Sequence, residues 1–593
     1  VIDVLAALDV RSPGAWMFVL APFVVYGAVA LALVAAGRTA SRPAPRVWPV
    51  ARINAGLERV TGLPGWAAAA VGVGLAGLLV AMTGFYWDVA WHIDLGRDKE
   101  LFTPAHTMIV LGLGSILVAG VTAVLFASVS EAAVGFRWRG LRVPYSALPL
   151  MVIGIGALTG FPLDDVWHHF YGVDVTMWGP THLIMIGGAA ISPIGLWLVL
   201  AEAGVKPADG VWARQLHVVV GSALLIGLSA LQGEFDFGVP QFQLLYQPVL
   251  IGIAAGVTLV AARIVLGRWG ALWVTAGFLA LRGLMVLILD GAFGLTVPHF
   301  PLYLAAAMAV ELAAFVVGAR RPFGFGLLAG VGVGIIGLAG EWGWMQVWGQ
   351  NPWGASLLPD AFLVGTLAAV GGGVIGAALG GAIAGTPVRV RVAAVPVALV
   401  ALAVALTIPF PRAVGDVRAN VTLDRVGESA IVHVRLSPPD AAEQERWFEV
   451  LAWQGGGRVQ EPLVQRGGGE YVTSNAVPIS GRWKTIIRLH RGDELMAAAV
   501  YMPPDPAIGV RGVAPGDRTV RFERDTELLL REARGGPAWP APVVYSILLL
   551  IVAVWIGALW WVAGRVSPTI AADRPGAGEL LAPPAPAEVR LRR

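Results

Sequence analysis

The chain has 593 residues, 56% of them hydrophobic and only 14% charged, where soluble domains carry about 25% charged residues. With a mean hydropathy of +0.71 and a net charge of +3, these values exclude an ordinary soluble domain and imply a polytopic membrane protein. Cysteine is absent, which excludes disulfides and thiolate metal sites; a metal here must take His, carboxylate, Met or backbone ligands.

Apolar stretches of roughly 20 residues are needed to cross a bilayer. Thirteen such windows run along the chain, at 14–36, 65–85, 107–129, 145–163, 182–201, 215–233, 245–266, 270–289, 302–318, 323–340, 360–384, 391–410 and 541–563. Residues 1–13 lack a basic region, and the apolar run after them is longer than a signal core, so it reads as a span and not as a cleaved leader. Basic segments follow every odd span: Arg38 to Arg52, Arg137 to Arg142, Lys206 to Arg214, Arg263 to Arg268, Arg320 and Arg321, Arg389 and Arg391, then the tail. The positive-inside rule makes these loops cytoplasmic, which puts the amino terminus outside and the carboxyl terminus inside.

The even spans then end outward, and spans 2, 4, 6, 8 and 10 each meet an acid there: Asp88, Asp164, Glu234, Asp290 and Glu341. The expected membrane domain, 1–411, is an all-α bundle of helical hairpins, with repeated Asp/His hairpins at 86–106 and 162–182. Residues 412–537 are polar, with alternating runs such as 417–423, 430–436 and 483–489 separated by Gly-rich turns. That pattern predicts a small all-β sandwich on the extracytoplasmic side. A last transmembrane helix at 538–564 and a disordered cytoplasmic Pro/Ala-rich tail at 565–593 complete the chain.

The two hairpins carry one motif, 76 positions apart. The first copy is Asp88, Trp91, His92, Gly96, Asp98, Pro104 and His106; the second is Asp164, Trp167, His168, Gly172, Asp174, Pro180 and His182. Asp88 and His92 are four residues apart and share one helix face. Thr103 and Pro104 form a helix start, with Thr as cap and Pro in the first turn, and place His106 beside them. Each hairpin thus aims one carboxylate and two imidazoles at one point. Two His and a carboxylate suit copper, zinc or iron and leave coordination positions open. Asp94, Asp98 and Asp174 are expected to accept from imidazole N–H groups. The second copy offers an alternative register, because Asp165 and His169 repeat the same spacing one position on, about 100° round the helix.

The competing reading is a hydrogen-bonded polar network or proton relay at the membrane edge; the duplication of the whole set favours metal. Glu234 and Asp236 read as span caps, and His299 as a further neighbour of the outer site. His433 and His490 read as surface strand residues, Met496 and Met502 as strand core, and His217 as a cytoplasmic-side residue without a role at the site. No phosphate-binding Gly loop, nucleophile triad or nucleic-acid patch is present.

Asp88/His92/His106 and Asp164/His168/His182, with Asp165/His169/His182 as the other register, have a spacing that resembles the membrane-embedded copper-site helices of particulate methane and ammonia monooxygenases. Here both sets have Asp, where that family's neighbouring set has Asn. The β-domain, with Gly481-Arg482-Trp483-Lys484 and its 499–506 end, resembles small FixH/YtkA/CopC-type domains associated with copper handling and oxidase assembly. The resemblance implies copper at the extracytoplasmic membrane edge and a monooxygenase-like oxidoreductase served by electron-donor or other membrane partners. The alternatives are a copper-handling or oxidase-assembly protein, and a metal-free proton-coupled transporter.

Overall fold

The computed structural model describes residues 48–97, 102–173, 176–319, 321–385 and 414–572, with isolated positions between 20 and 35. The expected span at 391–410, most of that at 14–36, and the tail beyond 572 lie outside the described residues. A short helix, α1 (Trp48–Thr61), precedes the first complete span. The hairpin α2 (Gly65–Asp94) and α3 (Pro104–Val129) follows, then a small ribbon, β1 (Phe136–Trp138) with β2 (Leu141–Val143), and the hairpin α4 (Ala147–Tyr171) and α5 (Pro180–Glu202). Further helices are α6 (Val211–Ala230), α7 (Tyr246–Leu266), α8 (Gly270–Phe293), α9 (Leu304–Val317), α10 (Pro322–Trp348), α11 (Leu358–Ile383) and α12 (Pro540–Ala572).

Among the described residues ten helices are long and apolar enough to cross a membrane. The window at 302–318 forms only the 14-residue α9. At 1.5 Å per residue it is about 21 Å long, short of a hydrocarbon core about 30 Å thick. Large apolar side chains such as Phe315 and Leu549 stay exposed on the bundle, as a lipid-facing surface requires. Helices α2 and α3 pack through glycine: a Cβ on Gly77 would lie 2.1 Å from Ser115 Cβ, and one on Gly112 2.4 Å from Ala81 Cβ. Small residues let the backbones approach where lipid tails remove any hydrophobic drive between helices. Helix α12 sits at the edge, held by Trp555, which packs over Gly156 and Gly188 and donates to the Val152 carbonyl at 3.2 Å.

The polar segment forms β3 (Arg418–Val426), β4 (Ser429–Ser437), β5 (Glu445–Trp453), β6 (Arg458–Gly467), β7 (Glu470–Thr473), β8 (Val477–Pro478), β9 (Lys484–Arg491), β10 (Glu494–Tyr501), β11 (Arg518–Arg521) and β12 (Glu523–Arg524). The expected sandwich is corrected to a barrel-like sheet. One continuous path runs β11-β3-β4-β7-β6-β5-β9-β10-β12. Its two end strands are consecutive in sequence, separated by Phe522 alone, so the sheet curls back on itself. A single core including Val432, Val450, Ile487, Leu489 and Val500 fills the interior. Long β6 makes this possible, pairing with β5 over its first half and with β7 over its second.

Candidate metal centre

Both copies of the motif occupy the same position in their hairpins. The acid and first His end one helix, and the second His opens the next. Thr103 caps α3 by accepting from the His106 N–H at 3.1 Å, and Pro104 and Pro180 stand at the starts of α3 and α5. In each copy the Asp and both His offer ligand atoms within 4.8 Å of one another, giving the triads Asp88/His92/His106 and Asp164/His168/His182.

In the first triad Asp88 Oδ2 is 3.6 Å from His92 Nε2, and Oδ1 is 3.1 Å from His106 Nε2. In the second, Asp164 Oδ2 is 3.7 Å from His168 Nδ1, and Oδ1 is 3.3 Å from His182 Nε2. Three of these four separations exceed the 2.7–3.2 Å of an N–H···O hydrogen bond. They match the roughly 3.4 Å between tetrahedral ligands held about 2.1 Å from a common ion. The copies are not identical, since His168 presents Nδ1 where His92 presents Nε2.

Protonation sharpens the picture. His92 Nδ1 lies 3.2 Å from the Gly96 carbonyl, and His182 Nδ1 2.6 Å from the Thr176 carbonyl. A carbonyl only accepts, so each Nδ1 carries the proton. Each Nε2 then faces a carboxylate oxygen, His92 at Asp88 and His182 at Asp164. A shared cation, or a proton on Nε2, makes that contact attractive. Metal-ligating His commonly donates its other N–H to such a partner, which fixes the tautomer and ring orientation. Gly96, at φ +92°, allows the tight turn that brings its carbonyl back to His92.

The expected role of Asp94 is corrected. Its carboxylate accepts from the Thr296 N–H at 2.7 Å and hydroxyl at 2.5 Å, so it ties a distant loop and leaves the imidazoles to backbone carbonyls. Asp98 and Asp174 lie outside the described residues. Asp165 and His169 are exposed and stand outside the second triad, whose helix turns Asp164 and His168 inward. His299 stacks on Trp348 at 4.3 Å and bonds to the Trp348 carbonyl, away from both triads. His433 is exposed against Asp424, as expected of a surface residue. The buried His490 corrects the same expectation: its Nδ1 donates to the Glu494 carbonyl at 3.1 Å, and its Nε2 accepts from the Leu244 N–H at 3.2 Å. Met496 is strand core, Met502 is buried just past the end of β10, and buried His217 accepts from Trp197 at 2.9 Å.

Several residues around the site escaped sequence reasoning. Glu234 is no simple cap. It accepts from Thr176 Oγ1 at 2.9 Å, the Met177 N–H at 3.1 Å and the Gln241 N–H at 3.1 Å, and so fixes the loop whose carbonyl orients His182. Burial outweighs these bonds and pushes its carboxyl up to about 7. Thr181 donates to Asp164 at 2.5 Å. Asp236 pairs with Arg282 at 2.6 Å, both fully buried; an Arg inside the apolar run 270–289 was the available signal.

The β-domain closes over the first motif. The last carbonyls of a helix lack intrahelical partners, and at α2 the β-domain supplies them. Gln454 Nε2 donates to the His92 carbonyl at 3.1 Å and Gln454 N to Ile93 at 2.9 Å. Gly456 N serves Asp94 at 2.9 Å, and Arg482 serves Leu95 at 2.7 Å. The end of α4 is treated alike, with Arg534 N donating to the Tyr171 carbonyl at 2.7 Å. All six triad residues line one cavity of about 690 Å³, which Trp453, Gln454 and Leu529 roof from the β-domain. No family model, curated protein or solved structure matches the chain, so the site is read from its own geometry.

Proposed function

We propose that the protein is an integral membrane metalloprotein that holds one copper ion in each Asp/His/His triad, at the extracytoplasmic edge, and acts as an oxidoreductase on an apolar substrate in the shared chamber. The observation that carries this reading is the duplicated Asp/His/His set, whose ligand atoms lie within 4.8 Å of one another in each copy, with His92 and His182 oriented through Nδ1 by backbone carbonyls. Imidazole and carboxylate suit copper, zinc and iron alike; the spacing shared with the particulate monooxygenases favours copper. The basic loops favour the outward orientation.

Bound copper would supply one-electron redox chemistry at the head of the chamber. The chain's own residues do the rest. Asp88 and Asp164 bring negative charge to each triad, and Gly96 and Thr176 hold His92 and His182 in one tautomer. Trp453 and Leu529 restrict water, which strengthens electrostatic interactions inside. Glu234 lines the same chamber with a carboxyl poised near neutrality, in the range suited to passing protons at neutral pH.

The test is metal content of the full chain purified in lipid nanodiscs, beside a His92→Ala/His168→Ala double variant. Two coppers per chain, lost in the variant, are expected, one for each triad. Zinc or iron in their place would overturn the copper assignment. No metal after reconstitution would overturn the metalloprotein reading and leave the triads as a polar network.

A further inference from the structure

The chamber does not end at the triads. Its lining continues along α2 from His92 back to Gly72, through Phe85, Met82, Leu79 and Leu75. These positions form one helical stripe of three- and four-residue steps. Twenty residues at 1.5 Å each carry the passage about 30 Å, roughly the thickness of a hydrocarbon core. A rounded cavity of about 690 Å³ would be far shorter, so the space is long and narrow. Helix α6 lines it in parallel, from Ala230 through Ala223 to Val219.

Polarity is divided sharply along this length. Every carboxylate and imidazole in the lining belongs to the triad end, as do Gln241 and Gln454. The aromatic liners Phe85, Tyr86, Phe161 and Trp453 are gathered there too. The far half is aliphatic, with Leu75, Leu79, Ala223 and Val219 among its walls and no flat aromatic face for a ring to stack on. At that end the wall opens sideways. Leu79 is 41% exposed and Val219 38%, and a Cβ placed on Gly72 would meet nothing within 4 Å. On helices that span the bilayer, such an opening faces lipid.

We propose that this passage takes a long aliphatic chain directly from the bilayer, through the gap between Gly72, Leu79 and Val219, and lays it along α2 with one end at the triads. The occupant class is an extended alkyl or acyl chain, whether of a free hydrocarbon or of a fatty acid. The inference deepens the oxidoreductase reading by naming its substrate class, and it rests on that reading for the chemistry alone. A chain leaving lipid for this passage gains little from the hydrophobic effect, because both surroundings are apolar. Selection is then by length and shape, and the walls set it.

The experiment is photolabelling of the full-length protein in nanodiscs, with peptide mapping by mass spectrometry. Two probes are used: hexadecane with a terminal diazirine, and palmitic acid with a diazirine at its methyl end. Adducts are expected on α2 between Gly72 and His92 and on the facing part of α6, suppressed at least fivefold by excess unlabelled hexadecane. Labelling by the first probe alone identifies a free hydrocarbon; labelling by the second as well admits an acyl chain. Val219→Trp, at an already lipid-exposed position, is expected to abolish these adducts, while Leu125→Trp on the outer face of α3 leaves them unchanged. Adducts confined to lipid-facing positions, or unaffected by competitor and by Val219→Trp, would overturn the proposal. Metal is measured on the same samples. Passage labelling in a protein that holds no metal sustains this inference and removes the redox reading; metal without passage labelling does the reverse.

Discussion

Glu234 touches neither triad, yet it decides where His182 points. Its three accepted hydrogen bonds hold Thr176 and Met177, and the Thr176 carbonyl fixes the His182 tautomer. Outer partners of this kind typically contribute 10–100-fold in metal affinity. Glu234→Ala is therefore expected to weaken metal binding at the second triad by about that factor and leave the first unchanged. Titration with Cu(II), followed by ligand-field spectra, separates the sites because one uses His168 Nδ1 and the other only Nε2 atoms. Equal weakening of both sites would refute the assignment. The triads themselves were legible in the sequence, because a helix maps a four-residue spacing onto one face and a Thr-Pro pair announces where the next helix begins. Glu234 was not, since the two partners that tie it to His182 lie 57 and 58 residues away and only the packed chain brings them together.

At the scale of elements, the interface between the β-sheet and the helices depends on a neutral histidine. His490, on β9, is buried against Trp447 and bonds through both ring nitrogens, and burial pushes its pKa down to about 3. An exposed histidine takes a proton below about 6.5. The folded interface refuses that proton, so its contribution is complete above about pH 6.5 and is lost as pH falls from there toward 3. At pH 5 the loss is about 2 kcal/mol. Hydrogen exchange at the Leu244 amide should accelerate correspondingly between pH 7 and pH 5, after correction for intrinsic rates. His490→Gln, which keeps a donor and an acceptor, should flatten the response; an unchanged response would exclude His490 as its source. Alternation made the strands legible, but whether a strand meets solvent or a neighbouring domain leaves no mark on a period of two. Hence His490 read as a surface residue, and the curled sheet read as a sandwich.

Considered whole, the molecule is two bodies sharing one set of hydrogen bonds. The carbonyls of His92, Ile93, Asp94 and Leu95 all find their donors in the β-domain, and the end of α4 finds one at Arg534. Replacing residues 414–536 with a flexible linker should therefore uncap both motif helices, loosen both triads and open the chamber roof. The expected outcome is loss of metal from both sites while the span helices remain by circular dichroism. Full retention of metal would show that the helices alone organise the site. Ten of the expected spans and the separate β-domain were readable from hydropathy and composition. The roof was not, because Gln454, at φ +63°, and Gly456 lie in a turn that reads in sequence as a plain connection between two strands.

The pairing of Arg282 with Asp236 has a consequence for how the protein is made. An Arg at the centre of a membrane helix costs about 2.5–3.5 kcal/mol on insertion scales. Here its guanidinium lies 2.6 Å from the carboxylate and 4.3 Å from the Tyr86 ring centre, deep in the bundle. Asp236 and Tyr86 precede it in the chain and Phe300, whose ring centre lies 4.7 Å from the guanidinium, follows, so when α8 leaves the ribosome its counter-charge and one half of its aromatic seat have already been synthesised. The order of the sequence is then also an order of synthesis: the hairpins that carry the triads come first, and the charged helix follows to a carboxylate already made.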